Sequence, residues 1–399
     1  MLTANDKWLI CAGALGLGVA LAAACDGSTS STGAGGSGGG ANSTTTGSST
    51  SSTSSGVMGA CAADPATAAN TAAVVDAANT FIASLTADQQ TAVKYDKTLA
   101  NAAQWSNFPV TFVQRNGVRL ADMSAGAESA AISLATVAAG PTGAKLLDEL
   151  RAADEWLVTD GKASSTDYGR GLYYFSIHGT PSTSSAWMLQ IAGHHLAYNF
   201  MYGGACTSAT PLFDGAEPMD WTDGGATHSP LGAQRSAMVA LLASVGSLDG
   251  AKLSGTFGDL VNGPAGGGPG GGGGGDTKYP AQLSYPTGTT GRGAAVSAMS
   301  ADQKGLVKAA IASWVNNVAD PIATSLLAEY ESDAALAETF VGWSGSSDLS
   351  TASSYVRIDG PRVWIEASVQ GGIIYKNVVH WHTIYRDKAA DYGAEFVSQ

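Results

Sequence analysis

The sequence has 399 residues, of which 44% are hydrophobic and 13% are charged. This is long and apolar enough for one large core or two smaller ones. Asp and Glu (33) outnumber Lys and Arg (20), giving a formal net charge of -13 at pH 7. Because no basic cluster offsets this charge, the composition argues against a nucleic-acid partner.

Residues 1–25 are predicted to be a lipoprotein-type signal peptide. A polar start with Lys7 leads into an apolar run from Trp8 to Ala24, which closes on Leu-Ala-Ala-Ala-Cys25. The run is short for a membrane span and ends in small residues, as signal peptides do. We therefore expect lipidation at Cys25 and an exported bacterial lipoprotein, held at the cell surface or in the periplasm by a membrane anchor. A plain cleavage site without lipid is the alternative.

Residues 26–60 consist almost entirely of Ser, Thr and Gly and predict a disordered tether. Cys61 and Cys206 are the cysteines that remain after the leader. An oxidising compartment favours a disulfide between them, and two free thiols are the alternative.

The first predicted half spans residues 61–262. Thr86-Ala-Asp-Gln89 has the pattern of a capping box at the start of a helix. Hydrophobic periodicity predicts helices at 64–101 in two pieces, 125–139, 142–158 and 230–247, and strands at 171–178 and 186–202.

A glycine-rich linker or loop at 263–277 precedes the second predicted half, 278–399. Ser300-Ala-Asp-Gln303 repeats the capping box. The pattern then predicts helices at 305–317 and 321–341 and strands at 354–359, 362–370 and 377–386. Both halves thus run helix, helix, strand, turn, strand. We expect an α+β fold of two similar halves that form one globular unit about a pseudo-twofold axis, with a chance likeness of short motifs as the alternative.

Five of the six histidines fall in two predicted strand clusters: His178, His194, His195, His380 and His382. His380 and His382 are two residues apart, so both imidazoles project from one face of a strand. On a continuous strand, His194 and His195 point to opposite faces. His195 then shares its face with Asn199, and His194 shares its face with Gln190. The pattern predicts a metal site made of His380, His382 and one of these two histidines.

Three imidazoles with one open position suit Zn²⁺ and an activated water, with Cu or Fe as alternatives. Glu366 lies on the strand before the HxH pair and is the candidate general base or fourth metal ligand, while Arg386 is the candidate for holding substrate charge. His178, Asn199, Gln190, Arg362 and Asp387 are candidates for substrate contact or for orienting the ligands. A strand face that carries Glu366, His380, His382 and Arg386 is either open to water or a site. A hydrogen-bonded structural role is the alternative for each histidine.

Several words of the sequence resemble a known family: RNGVRL (115–120), FSIHGTPS (175–182), GHHLAYN (193–199), RIDGPRVWIE (357–366) and HWHTIYRD (380–387). The resemblance is to the secreted bacterial and fungal family called domain of unknown function 3500, and it extends over about 77–393. It implies relatives but no established activity or residue roles.

The sequence contains no G-x-S-x-G, H-E-x-x-H or P-loop motif. We therefore predict an exported metal-dependent enzyme, a hydrolase that acts on a small-molecule substrate through one transition metal ion. A copper or iron redox enzyme is the first alternative. A non-catalytic surface lipoprotein that binds a ligand or a metal is the second.

Overall fold

A computed structural model describes residues 65–203, 207–254, 283 and 285–394. The predicted leader, the tether, the glycine-rich linker and all three cysteines discussed above (Cys25, Cys61 and Cys206) lie outside these residues. Within them, the chain forms helices, an eleven-stranded sheet and a separate two-stranded sheet. This confirms the predicted α+β class.

The helices follow the apolar periodicity of the sequence. They are α1 (Pro65–Ser84), α2 (Ala87–Ala92), α3 (Leu99–Ala102), α4 (Ala125–Thr159), α5 (Gly232–Val245), α6 (Ala301–Val315), α7 (Asp320–Tyr330) and α8 (Asp333–Ala337). Both predicted capping boxes are confirmed, because the side chains of Thr86 and Ser300 accept the N3 backbone N–H and the N3 glutamines bond back.

Helix α4 contains the predicted break between two helices. Gly140 has φ 69° and ψ 177°, which no helical residue adopts, and Pro141 follows it. Length and composition alone would let α4 cross a membrane, but half of its most apolar window is buried inside the protein. Helix α4 is therefore a core helix of the protein.

The strands are β1 (Lys94–Tyr95), β2 (Val118–Arg119), β3 (Tyr174–His178), β4 (Trp187–Gly193), β5 (Leu196–Tyr202), β6 (Leu212–Ala216), β7 (Trp221–Asp223), β8 (Ala226–His228), β9 (Ala294–Ala295), β10 (Phe340–Ser344), β11 (Tyr355–Asp359), β12 (Val363–Gly371) and β13 (Val379–Asp387). The large sheet has the order β1-β3-β4-β5-β6-β13-β12-β11-β10-β9, and β2 pairs with β3. Strands β7 and β8 form the separate hairpin.

The two predicted halves meet at the centre of this sheet. β3 to β6 run as one antiparallel meander, β10 to β13 run as another, and the last strands β6 and β13 pair with each other. The sheet is therefore continuous across both halves, while the pseudo-twofold axis stays a prediction.

One strand prediction and one helix prediction need correction, and one strand was missed. The predicted strand 186–202 is two strands, β4 and β5, joined by a turn. The predicted helix 321–341 ends earlier, as α7 and α8, and the chain continues into strand β10. The central strand β6 was missed because its five residues are flanked closely by Pro211 and Pro218, which obscured the pattern.

The sheet is covered on both faces. Val363, Ile365 and Val369 belong to the main core, which also contains the buried residues of α4, α5 and α6. The opposite face carries the side chains of Glu366, His380 and His382 and is covered by chain segments that include Trp105 and Leu253. The polar face of β12 and β13 is thus buried and not open to water.

Candidate metal centre

His194 and His195 form the turn between β4 and β5. Gly193 pairs with Leu196, so the two histidines are the residues of a two-residue hairpin loop, and His195 has φ 57°. This corrects the prediction that they lie on one strand and point to opposite faces. A left-handed φ is costly for a residue with a Cβ, and such backbone positions cluster at functional sites.

Three histidines converge at this turn. The Nε2 atoms of His382 and His195 are 3.0 Å apart, and those of His380 and His382 are 3.2 Å apart. The ligand atoms of all three lie within 4.8 Å of one another. All three side chains are buried, with exposures of 5% for His195, 1% for His380 and 5% for His382. This histidine cluster, His195, His380 and His382, could bind a metal ion.

Hydrogen bonding alone does not account for these contacts. A neutral imidazole nitrogen either donates one proton or accepts one. The Nε2 atom of His382 faces two other Nε2 atoms, so it can satisfy only one of them. A cation between the rings would take a lone pair from all three, and Zn–N bonds of 2.0–2.1 Å at tetrahedral angles place nitrogens about 3.3 Å apart. The observed separations of 3.0 and 3.2 Å fit this arrangement.

The protonation state also suits a metal. Burial lowers the pKa of His195 and His382 well below the usual value, and the neighbouring histidines lower it further. Burial also lowers the pKa of His380, although the negative charge of Glu217 partly opposes this. The three rings are therefore neutral near pH 7, which is the form that coordinates metals.

Gly215 on the central strand β6 makes room for two of the rings. A Cβ at this position would lie 2.8 Å from Cδ2 of His195 and 3.0 Å from Cδ2 of His382. The backbone N–H of Gly215 also donates to the carbonyl of His195 at 2.8 Å. The missing side chain is thus what lets both imidazoles lie over this strand.

His194 lies behind the cluster and is held by a carboxyl group. Its ring stacks on His195 with a centroid separation of 3.7 Å, and its Nδ1 is 2.7 Å from Oδ1 of Asp154 on α4. Tyr173 donates from its hydroxyl toward Oδ2 of Asp154 at 3.0 Å, and the carbonyl of His194 is 3.2 Å from the same hydroxyl. Asp154 and Tyr173 therefore fix the turn that presents His195.

The segment Trp105 to Arg115 covers the cluster on the outer side. Nδ2 of Asn107 is 3.4 Å from Nδ1 of His382. Arg115 is buried and donates to the carbonyls of Ser106 and Gly193, at 2.7 and 3.0 Å. These bonds tie the covering segment to the β4–β5 turn. The ring of Tyr168 packs edge-on against His194 at 4.8 Å and completes this side.

Glu366, the candidate base, lies near the cluster on the same sheet face. It pairs with Ile384, two residues from His382, and its Oε1 accepts a hydrogen bond from the hydroxyl of Tyr355. Arg386 lies on this face as well, fully buried, and donates to Asp391 at 2.6 Å. Both candidates are thus engaged with protein partners, and their roles stay predictions.

The remaining candidates lie away from the histidine cluster. Asp387 accepts hydrogen bonds from Arg362 and from Tyr330, at the end of β13. Gln190 donates to Asn199 at 2.8 Å, and Asn199 donates to the carbonyl of Pro211 at 2.7 Å. The structure therefore gives these four side chains contacts within the fold.

His178 is separated from the HxH strand by three intervening strands. It lies on β3, where its Nε2 is 2.9 Å from the hydroxyl of Ser176 and its ring stacks on Tyr95. At about 4.8 Å per strand this is roughly 19 Å from β13. Burial lowers the pKa of His178 to about 4.

Asp154 and Gly215 are the functional residues that sequence reasoning missed. Asp154 lies within helix α4, and no sequence spacing connects it to His194. Gly215 lies within the missed strand β6. A glycine inside this five-residue strand was the one local signal that the backbone is closely approached there.

The fold and the site define an α+β protein with a buried three-histidine cluster that could bind a metal ion. A family model described as "Protein of unknown function (DUF3500)" matches residues 67–394. The chain belongs to this family, which confirms the resemblance found in its sequence words. No curated protein and no solved structure matches the chain.

Proposed function

We propose that the protein is an exported metal-dependent hydrolase that holds one Zn²⁺ ion with His195, His380 and His382. The observation that carries this proposal is the convergence of three buried imidazoles, in which the Nε2 atom of His382 lies 3.0 Å from that of His195 and 3.2 Å from that of His380. Within the described residues, this group offers three ligands, which leaves a fourth tetrahedral position for water or substrate. Zn²⁺ in such a set lowers the pKa of bound water to about 7 and so supplies a nucleophile at neutral pH.

The chain's own residues organise the site. Asp154 orients His194 through the 2.7 Å contact to Nδ1. The ring of His194 in turn stacks on the ring of His195 and holds it in place. Ligation through Nε2 of His382 leaves the proton on Nδ1, so the amide of Asn107, 3.4 Å away, would have to turn its partnerless oxygen toward Nδ1 to accept that proton. Glu366 is the proposed base because it shares the face of the cluster, and Arg386 is the proposed anchor for substrate charge.

The burial of the cluster favours a second candidate function. Exposures of 1–5% leave little room for a substrate beside the metal. A protein that binds and holds a metal without turnover would show the same ligands with a closed fourth position. This is the non-catalytic, metal-binding surface lipoprotein predicted as an alternative.

Export and membrane anchoring are supported by the leader alone. The apolar run that ends in Leu-Ala-Ala-Ala-Cys25, followed by the Ser/Thr/Gly tether, supports attachment to a membrane through lipid at Cys25. Cell fractionation of the full chain beside Cys25→Ser tests this part: the variant should move from the membrane to the soluble fraction.

Cobalt substitution separates the two candidates. The hydrolase predicts that the visible absorption of the Co²⁺-loaded protein changes when azide or acetohydroxamate is added, because an open position accepts them. It also predicts hydrolysis of at least one ester or amide in a substrate panel, lost in His382→Ala. An unchanged Co²⁺ spectrum with no turnover would support the metal-holding protein instead. Absence of Co²⁺ and Zn²⁺ binding would refute both.

A further inference from the structure

A groove with a mixed polar and apolar lining lies in the helical layer, on the side of the sheet opposite the histidine cluster. It has a volume of about 500 Å³ and is bordered by α4, the segment before α5, the first turn of α5 and the last turn of α6. This volume falls within the range of small-molecule sites. Nothing in the proposed hydrolase uses this groove.

The N-terminus of α5 opens onto the groove. The helix begins at Gly232 and runs for 14 residues, and no side chain caps its first turn. Ala233 and Gln234 line the groove, and among the described residues their backbone N–H groups have no acceptor. A helix start with free N–H groups carries partial positive charge and favours an anion.

The side chain of Gln234 is an independent sign of a ligand. The residue is only 2% exposed and lines the groove, yet the described part of the chain provides no hydrogen-bond partner for its amide. Buried amides are almost always hydrogen-bonded in folded proteins. The small accessible part of Gln234 borders the groove, so its amide is available to a ligand that enters there.

One cationic and one anionic side chain border the groove. The amine of Lys145 on α4 lines the groove and forms no ion pair within the described residues. The carboxylate of Glu149 also borders the groove, but it is paired with Nδ1 of His228 at 3.0 Å. The last turn of α6 offers carbonyl groups, of which that of Ser313 accepts from the amide of Asn317 at 3.4 Å. Lys145 is therefore available to an anionic ligand, whereas the contact with His228 cancels the charge of Glu149 only when the imidazole is protonated.

We propose that this groove binds the oxyanion group of a small ligand, a phosphate or a carboxylate, through Gln234, Lys145 and the first-turn N–H groups of α5. These donors lie on two helices whose positions are fixed by the core, so the site is formed before the ligand arrives. The inference stands apart from the metal centre, because none of these residues contacts the histidine cluster's side of the sheet.

Isothermal titration of the full chain with sodium phosphate, and separately with sodium acetate, tests the proposal at constant ionic strength. We expect at least one of the two to bind with a millimolar or lower Kd. Tighter phosphate binding would identify a phosphorylated ligand, and tighter acetate binding would identify a carboxylate. Gln234→Leu and Lys145→Ala should each weaken binding at least tenfold.

Lys304→Ala is the matched control, because it removes the same charge at a distance from the groove. Lys304 lies on α6, about 13 Å along the helix from the groove. Its Kd should stay within twofold of the wild type. Lys145 is exposed, so its variant keeps the fold even if Gln234→Leu does not. No binding of either anion, or binding that Lys145→Ala leaves unchanged, would overturn the proposal.

Discussion

Replacing Gly215 by alanine tests whether the space above β6 exists to let two imidazoles meet a metal. The new Cβ would lie 2.8 and 2.9 Å from ring atoms of His195 and 3.0 Å from the ring of His382. Ordinary carbon contacts are 3.5–4.0 Å, so the rings would have to move by about 0.5–1 Å. The backbone of β6 cannot yield easily, because it is paired on both sides within the sheet.

The expected effect on metal affinity is large. Metal–ligand distances tolerate deviations of about 0.2 Å, so a shift of 0.5 Å or more removes at least one ligand. We expect Zn²⁺ affinity to fall about 100-fold or more, which corresponds to about 2.7 kcal/mol of binding free energy. The metal-free protein should lose about 1–3 kcal/mol of stability from overpacking alone.

Gly360→Ala separates these two effects. A Cβ at Gly360 would lie 2.8 Å from Cγ1 of Val363 and 3.0 Å from Oγ1 of Thr339, so the crowding is similar but no histidine is touched. Zn²⁺ affinity is measured by competition with a chromophoric chelator, and stability by urea unfolding with and without EDTA. Equal Zn²⁺ affinities for the two alanine variants would refute the role of Gly215 and weaken the case for a metal centre.

Three further predictions follow from buried titratable groups. Asp154→Asn should weaken Zn²⁺ binding about tenfold, because His194 loses its charged partner behind His195; the same chelator competition measures this, and unchanged affinity would contradict it. His178 has a folded pKa of about 4, below the unfolded value of about 6.5, so its contribution to stability is complete above pH 6.5 and is lost as pH falls toward 4. The wild type should lose about 2 kcal/mol more than His178→Gln between pH 7 and 5 in urea unfolding, and parallel losses would refute this. Asp214 on β6 is fully buried with no partner for either oxygen among the described residues, and burial raises its pKa well above the usual value. The stability contribution of the protonated carboxyl group is present below pH 3.8 and is lost as pH rises. Above pH 4, the free energy of unfolding of Asp214→Asn should therefore increase relative to that of the wild type by up to about 1.4 kcal/mol per pH unit. A difference that does not change with pH would contradict the reasoning.

The helices were predictable where the signals were local. The capping boxes at Thr86 and Ser300, and the Gly140-Pro141 break in α4, each fix the backbone through neighbours within a few residues. Strands β11, β12 and β13 were also predicted within two residues, because their alternation of apolar and polar residues is strong.

The β4–β5 turn was not predictable from this pattern. Every residue of both strands is buried, so no alternation marks where one strand ends and the next begins. Gly193 was the one turn signal, and two histidines are unusual residues for a hairpin loop. The turn brings His195 to the HxH pair, which is a different geometry from the opposed faces predicted for one strand.

The histidine cluster was predictable in part from the sequence. The HxH spacing places His380 and His382 on one face by strand geometry alone. The third ligand and its support come from elements far apart in the chain: β6 with Gly215, and α4 with Asp154. Their contacts depend on sheet order and helix packing, which no local pattern encodes.

The burial of the polar face is the other result that sequence could not supply. The face with Glu366, His382 and Arg386 was expected to be open or a site, and in the structure it is covered by segments carrying Trp105 and Tyr392. These segments lie more than 250 residues apart and are joined by a hydrogen bond of 2.8 Å from the Trp105 indole to the Tyr392 hydroxyl.

Elemental analysis of the purified full chain beside a His380→Ala/His382→Ala variant tests the central claim most directly. The account predicts about one equivalent of a transition metal, Zn first, in the wild type and none in a variant that keeps its far-ultraviolet circular dichroism. Copper or iron in place of zinc would keep the metal centre and redirect the chemistry toward redox. A wild type that holds no metal, even after incubation with each ion and dialysis, would contradict the account and leave the three histidines as a structural cluster.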